Sequence, residues 1–495
     1  MPRPTRMFLA VIAVLAAAAG AFAQALNSDV ETLIITQGLE PATVGVYAID
    51  LRTGEELIAV APDRALIPAS NMKLLTSGAF LTVLGDRDVF RTEVWRSGDD
   101  VVVVGSGDPA LADPDLLAEM GLSVEEFLDL WAQQIDERLG DRPMGELLID
   151  DRMFDQTRVH PSWPLDQLNR WYCAEVSALN FHTNVLHLHL APGAGGGPPR
   201  IATEPESHWL TPKNLARSTK KGRNTAWVSR KLGTNDMTLH GAVRWSTSEP
   251  ISVAVNDPAL LFGRLLAERL ARLGRDRPAV RRVEEHEIPT RDQLLMAVET
   301  DTSDILERCN VDSQNLYAEA LFKRLASEVT ASRGSWSSGV AVMRMIFQEK
   351  FASVRGVGVA TDAVIADGSG MSRTNRVTPR LMARWLEVMT HEPTASVFYE
   401  SLPIAGEEGT LRKRFRAESP RLEVRAKSGY LSGVSCLSGY LMGADNTPVA
   451  AFSVLVNDLP KNVAVSKAKA LHERVVLAIE DHIGAPPTTA DAPVR

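Results

Sequence analysis

Two short runs of strand-forming residues, Val44–Ile49 and Glu56–Val60, flank Asp50–Gly54, and the pattern predicts a hairpin. Apolar positions then recur at Met72, Leu74, Leu75, Ala79, Phe80 and Leu81, which predicts a helix entered through Ile67-Pro68-Ala69. Val101–Val104 is a compact strand running into Gly105-Ser106-Gly107-Asp108-Pro109, and Val124–Leu139 has helical spacing. Glu146–Ile149 leads into Asp150-Asp151. Val185–Leu190 alternates, placing His187 and His189 on one strand face. Ala191–Pro199 is a Gly/Pro-rich break, and the polar Ile201–Trp245 reads as a small β-rich lobe. Leu260–Leu273 is an amphipathic helix ending at Gly274. Past Thr300 the helices Leu316–Ala326, Gly339–Lys350 and Pro379–Met389 alternate with loops. Three strand-like runs follow, Leu422–Ala426, Val434–Leu441 and Val449–Val456, and Lys467–Ile483 is a last helix. No internal repeat is visible.

With 495 residues the chain is too long for one simple core, so two or three domains are expected. A hydrophobic content of 45% and a charged content of 23% are those of an ordinary globular protein. The formal net charge of -9 weighs against a nucleic-acid partner, and the basic run Lys213–Lys231 is too local to reverse that. At the N-terminus, Arg3 and Arg6 precede the apolar run Met7–Ala19, and Ala21-Phe22-Ala23 offers a cleavage site. Residues 1–23 are therefore expected to be a signal peptide, with a retained anchor as the alternative. The exported protein is expected in the periplasm, soluble or peripherally associated with a membrane, and its oligomeric state is left open. Residues 485–495 read as a disordered tail. Cys173, Cys309 and Cys436 form no Cys-x-x-Cys pair; three separate buried thiols is the preferred reading, with one bridge and a spare thiol as the alternative.

Candidate chemistry begins at Ser70-Asn71-Met72-Lys73. Residues three apart on a helix share a face, so the Lys73 amine can reach the Ser70 hydroxyl and take its proton once its pKa is lowered. At a first helical turn the Ser70 N–H is also free to stabilise an oxyanion. The spacing alone is weak, because Ser218/Lys221 and Ser466/Lys469 repeat it, the first in a polar basic stretch and the second on a charged helix. Gly105-Ser106-Gly107 lacks the lysine and the immediate helix of a phosphate loop and reads as a turn. His182, His187 and His189 lie close in sequence, but no acidic ligand stands at a recognisable spacing. Neither a metal nor an organic cofactor is expected.

Two further motifs change the weight of Ser70. Ser313-Gln314-Asn315 immediately precedes a helix, and Lys427-Ser428-Gly429 lies on a strand and is followed by Tyr430. A Ser-x-x-Lys helix start, a Ser-x-Asn turn and a Lys-[Ser/Thr]-Gly strand, in that order, are the three parts of the penicillin-recognising serine enzymes. The stretch between Ser70 and Ser313 is far longer than in a compact class A β-lactamase. With Asp367-Gly368-Ser369-Gly370-Met371-Ser372-Arg373, Leu402-Pro403-Ile404-Ala405-Gly406 and Gly409-Thr410-Leu411-Arg412, the chain resembles the D-alanyl-D-alanine carboxypeptidase/endopeptidases, the low-molecular-mass class C penicillin-binding proteins. The resemblance covers nearly the whole mature chain.

It implies an α+β fold, a serine β-lactamase/DD-peptidase-like (transpeptidase) domain with a five-stranded antiparallel sheet flanked by helices. Residues 27–85 and 290–484 would form this split domain; 86–190 and 248–289 would form an inserted domain carrying a nested lobe at 191–247. The implied activity is serine-type cleavage of D-Ala-D-Ala termini or cross-links of peptidoglycan, with β-lactams as covalent inhibitors. By the same resemblance Ser70 is the nucleophile and Lys73 its base. Ser313 relays a proton to the leaving amine, and Asn315 positions Lys73 and the substrate amide. Lys427 supplies charge for a terminal carboxylate and helps keep Lys73 neutral; Ser428, beside Gly429, bonds that carboxylate. The N–H groups of Ser70 and Tyr430 form the oxyanion hole. Asp150 could pair with an amine on the stem peptide; an exposed acidic turn is the competing reading.

The chain departs from the family pattern at Gln314, Ser428 and the bulky Tyr430, none of which removes a catalytic atom. A β-lactamase or an esterase of the same fold is one rival reading. The class A deacylating glutamate has only a poor match, in Glu175–Asn180. The other rival is a catalytically silent wall-binding protein, which the intact Ser70, Lys73, Ser313, Asn315 and Lys427 oppose.

Overall fold

A computed structural model describes residues 24–40, 42–352, 354, 356–358 and 363–484. The expected signal peptide and the expected tail lie outside the described residues. By its internal contacts the chain divides into two compact units. One takes the chain up to Thr82, Glu307–Ser313 and everything from Met343; the other takes Val83–Leu306 and Gln314–Val342.

The first unit is built on a five-stranded antiparallel sheet, as the α+β reading expects. Its strands are β1 (Thr43–Asp50), β2 (Glu56–Val60), β3 (Val424–Leu431), β4 (Val434–Met442) and β5 (Pro448–Asn457), in the spatial order β3-β4-β5-β1-β2. The early hairpin is thus completed by late strands, β1 pairing with β5 along its whole length. Alternation along β1 sorts its residues between two packed faces. Val44, Val46 and Ala48 join Phe452, Val454, Leu437 and Ala426 in a core closed by Leu471, Val475 and Ile479 of the helix Val465–Gly484. On the opposite face, Gly45 lies against Pro379 and Tyr440 donates to Leu386 O, both from the helix Pro379–Thr390. The helix α1 (Met72–Leu84) is buried on every side from Met72 to Leu81, as an apolar run without a polar stripe must be. Trp385 Nε1 donates to Leu74 O, so α1 packs on the same helix.

The second unit has its own mixed five-stranded sheet, in the order Val280–Arg282, Leu147–Asp150, Asp100–Val104, Val89–Ser97, Gln293–Asp301. The helices Val124–Leu139 and Pro258–Arg272 bury Leu128, Trp131, Phe262 and Leu266 against it. Ser123 caps the first of these in a full capping box with Glu126, which sets a sharp start for the helix. A three-stranded sheet orders Ile251–Ala254, Val185–Ala191 and Arg200–Glu204. Short strands between Lys213 and Val243 form two further small sheets, in the segment read as a β-rich lobe. Among the described residues no helix is long and apolar enough to cross a membrane. The three cysteines are separate buried thiols, as preferred from the sequence.

Candidate active site

Ser70 sits where the chain turns from the sheet into α1. Asn457 of β5 clamps the approach, accepting from Ile67 N at 2.8 Å and donating to Ile67 O at 3.1 Å. Ala69–Asn71 then form a single 3-10 turn, and Asn71 Nδ2 donates to Ser438 Oγ of β4 at 2.6 Å. The turn is tied to the sheet on both sides, so the half-buried Ser70 is fixed by its neighbours. Lys73, one turn on, is fully buried. Its Nζ lies 3.2 Å from Ser70 Oγ and 3.0 Å from Ser369 O. That is direct proton-transfer range between an amine and the hydroxyl it would activate.

The carbonyl on Lys73 comes from the loop Asp367-Gly368-Ser369-Gly370. Asp367 organises this loop by accepting from Gly370 N (2.9 Å), Ser372 N (2.6 Å) and Asn375 Nδ2 (2.7 Å). Thr76 of α1 donates to Gly368 O at 2.7 Å. Gly370 has φ +83°, and a Cβ there would stand 1.8 Å from Ala69 O. Gly370→Ala should therefore combine backbone strain with a backbone clash, costing about 2–5 kcal/mol. Because the clash falls on the residue before Ser70, penicillin acylation of the folded fraction should slow as well. Denaturant melts and stopped-flow acylation measure the two effects separately.

Lys427 projects from β3, the edge strand of the sheet, and is completely buried. Burial, and then the neighbouring Lys73, push its pKa well below the ordinary lysine value. The unfolded chain binds a proton at Lys427 up to the ordinary lysine pKa, whereas the folded chain releases it at lower pH. Stability should therefore rise with pH between those two values. Lys427→Met should flatten that alkaline slope in melts taken against pH.

Next along β3, Gly429 allows close packing: its absent Cβ would meet Pro68 O at 2.8 Å, Asn71 Oδ1 at 2.9 Å and Ser70 N at 3.1 Å. Ala426 N donates to Pro403 O and Val424 O accepts from Ala405 N, so these groups face away from β4. The strand pairs with β4 without a bulge. Two-residue alternation then turns the N–H groups of Ser428 and Tyr430 to the same open edge. Ser428 Oγ donates to Thr410 Oγ1 at 3.0 Å, and the Tyr430 side chain is exposed.

Ser313 belongs to the first unit, on a loop tied to the Gly409–Leu411 turn by Thr410 N donating to Val311 O. Its φ of 63° is left-handed. Just before it, Arg308 pairs with Asp312 at 2.5 Å, and the buried Asn310 donates to Ser401 Oγ at 2.9 Å. Asn315 opens the helix Asn315–Thr330 of the second unit, where its Nδ2 donates to Tyr172 O at 2.8 Å.

The other candidates have different surroundings. Ser218 lies on a two-residue strand and accepts from Gly193 N, and Lys221 is exposed. Ser466 and Lys469 are both exposed on the last helix. Asp150 is gripped by Arg152, which donates from Nε to Oδ1 and from Nη2 to Oδ2, each at 2.8 Å. An amine could reach that carboxylate only by competing with a guanidinium that already occupies both oxygens; Asp150 is also buried at the end of the strand Leu147–Asp150 and is not an exposed turn. Glu175 accepts from Arg158 Nε and Asp257 N, both at 3.0 Å, which ties it into the second unit. Gly105–Asp108 is a structural turn: Gly107 N donates to Ala178 O, and burial raises the Asp108 pKa to about 6.

Sequence reasoning passed over Ser369 and Asn457. Ser369 lay inside a quoted motif whose contact with Lys73 is not visible along the chain. Asn457 carried no local signal. It also missed Glu204, which accompanies His182 and His187 as the one group of possible metal-ligating side chains among the described residues.

Comparison with known proteins places the chain in a family. The description of the D-Ala-D-Ala carboxypeptidase 3 (S13) family matches residues 26–476. The chain is 32% identical over 468 residues to a D-alanyl-D-alanine carboxypeptidase of Actinomadura sp. (strain R39), covering 90% of this chain and 83% of that protein. It is 24% identical over 456 residues to the D-alanyl-D-alanine carboxypeptidase DacB of Haemophilus influenzae, covering 88% of this chain and 90% of that one. The crystal structure of penicillin-binding protein 4 from Haemophilus influenzae shares the fold, with a TM-score of 0.75 at 22% identity over 92% of this chain and 99% of that one. The chain belongs to the D-Ala-D-Ala carboxypeptidase 3 (S13) family of serine peptidases.

Proposed function

We propose that this protein cleaves D-Ala-D-Ala termini and cross-links of peptidoglycan stem peptides through an acyl-enzyme on Ser70. The observation that carries the reading is Lys73, buried with its amine 3.2 Å from Ser70 Oγ and anchored on Ser369 O. Lys73 takes the hydroxyl proton as Ser70 attacks the carbonyl carbon. Negative charge then develops on the carbonyl oxygen, where the N–H groups of Ser70 and Tyr430 receive it. The open edge of β3 lets the substrate peptide lie alongside as an added strand. Ser313, in the same unit as Ser70, passes the proton to the departing amine. Lys427 and Ser428 meet the terminal carboxylate, which restores the proton that burial disfavours on Lys427. Water then releases the acyl group, with Lys73 again as the base.

A β-lactam acylates the same serine but keeps its leaving amine tethered in the opened ring, so water is obstructed. Glu175, the nearest match to the class A deacylating glutamate, is held by Arg158 and Asp257 N. Slow β-lactam release is therefore part of the reading. The structure of Haemophilus influenzae penicillin-binding protein 4 complexed with a β-lactam, at a TM-score of 0.69, supports binding of such compounds on this fold. Export to the periplasm and peripheral membrane contact rest on the N-terminal sequence. The reading does not rely on Asp150. Incubation with purified muropeptides tests it: loss of terminal D-Ala or of cross-links is expected, with benzylpenicillin turning over slowly. Rapid penicillin hydrolysis with untouched muropeptides would overturn it in favour of a β-lactamase.

A further inference from the structure

We infer that His182, His187 and Glu204 form a binding site for one divalent transition-metal ion, zinc being the best match, which pins the His182–Asn184 turn to the adjacent sheet. The three side chains converge although the sequence scatters them. His187 and Glu204 are cross-strand partners in the sheet made by Val185–Ala191 and Arg200–Glu204. His182 comes from the turn before the first of these strands, its ring 4.7 Å from that of His187. The ligand atoms of all three lie within 4.8 Å of one another.

The hydrogen bonding of His182 gives the convergence a direction. This ring is fully buried, and its Nδ1 lies 2.9 Å from Val185 O. A carbonyl can only accept, so Nδ1 carries the hydrogen and the other nitrogen is left as the ligand atom. A backbone carbonyl holding the outer nitrogen is how metal-binding histidines are oriented. In the neutral ring Nε2 then turns a lone pair to Glu204 Oε1, 3.2 Å away. Two acceptors at that distance need a cation between them. Zinc bonds of 2.0–2.1 Å place neighbouring tetrahedral ligands about 3.3 Å apart, which the His182–Glu204 separation already matches. A proton on His182 would also satisfy the pair, but it leaves His187 without a role; a metal ion uses all three.

His189 completes the case. It shares the strand face of His187, and its Nε2 lies 3.6 Å from Glu204 Oε2, so it is available as a fourth ligand or as a support for Glu204. His189 and Glu204 line a cleft open to solvent, which gives an ion a way in. The site also has something to hold. His182, Thr183 and Asn184 are three successive non-glycine residues with left-handed φ values of 53°, 50° and 57°.

The test uses the full mature chain without a histidine tag, stripped with a chelator and titrated with Zn2+ against a chromophoric competitor. One equivalent should bind, with a rise in melting temperature. His187→Ala and Glu204→Gln should each weaken binding by more than about 100-fold, whereas the exposed His286→Ala should not. Should a variant fail to fold, Co2+ added to the wild-type protein still decides, because a four-coordinate site gives visible absorption bands that Zn2+ abolishes. Failure of the wild type to hold zinc, or binding that His187→Ala leaves unchanged, would overturn the inference and assign the cluster to a protonated His182–Glu204 pair. Neither result bears on the Ser70 chemistry.

Discussion

Ser70→Ala should lose peptidase activity by at least about 10⁴-fold, and penicillin acylation entirely, without unfolding the protein. The substitution removes one half-buried oxygen whose contact within the first unit is with Lys73. It leaves the clamps on Ile67, Asn71 and Gly370 in place. Deleting the hydroxyl also removes a polar neighbour from the buried Lys73 amine, so a modest change in stability is expected. Residual binding of non-hydrolysed stem peptides should persist, because Lys427, Ser428 and the open edge of β3 are untouched. Single-turnover acylation and denaturant melts on the same preparation measure both sides of this expectation.

The second large effect is expected at Lys73. Lys73→Arg keeps a long basic side chain but supplies a guanidinium that stays protonated in a protein, so general-base assistance is lost. Acylation should fall by about 10²–10⁴-fold. The guanidinium is also wider than the ammonium, and Lys73 has no exposed surface into which it could expand. A loss of stability should accompany the kinetic loss, and Lys73→Met separates the two by removing the base without the extra bulk. A folded Lys73→Arg protein that acylates at a near-normal rate would show that another group takes the Ser70 proton.

Much of the fold was legible in the sequence because local pattern and tertiary role agree there. The hairpin around Asp50–Gly54 and the three late strands carry strand-forming residues at nearly every position, and they meet in one sheet. The helix Val124–Leu139 matches its expected bounds, since Ser123 and Glu126 mark its start and Gly140 its end. Val89–Ser97 and Gln293–Asp301 were not anticipated as strands. They pair with each other along almost their whole length, and each carries charged residues among its apolar ones.

The site shows the same division. Ser70, Lys73 and Lys427 were readable because each sits in a short motif whose local context, a helix start or a strand, was itself predictable. What the motifs could not convey is the packing that makes them work. Ala69 O excludes any side chain at Gly370, and Ser70 N and Pro68 O exclude one at Gly429. The grip of Arg152 on Asp150 had no periodic signal, because Arg152 lies in the turn that follows the strand Leu147–Asp150. Glu204 had none, because its approach to His187 depends on how one strand returns along another.

The central claim is that a single serine, Ser70, carries the acyl group. Intact-mass analysis followed by peptide mapping after benzylpenicillin treatment tests it most directly. One adduct per chain is expected, on the peptide containing Ser70, and absent from Ser70→Ala. An adduct on the peptide of Ser218 or Ser466, or no adduct on folded protein, would contradict the account.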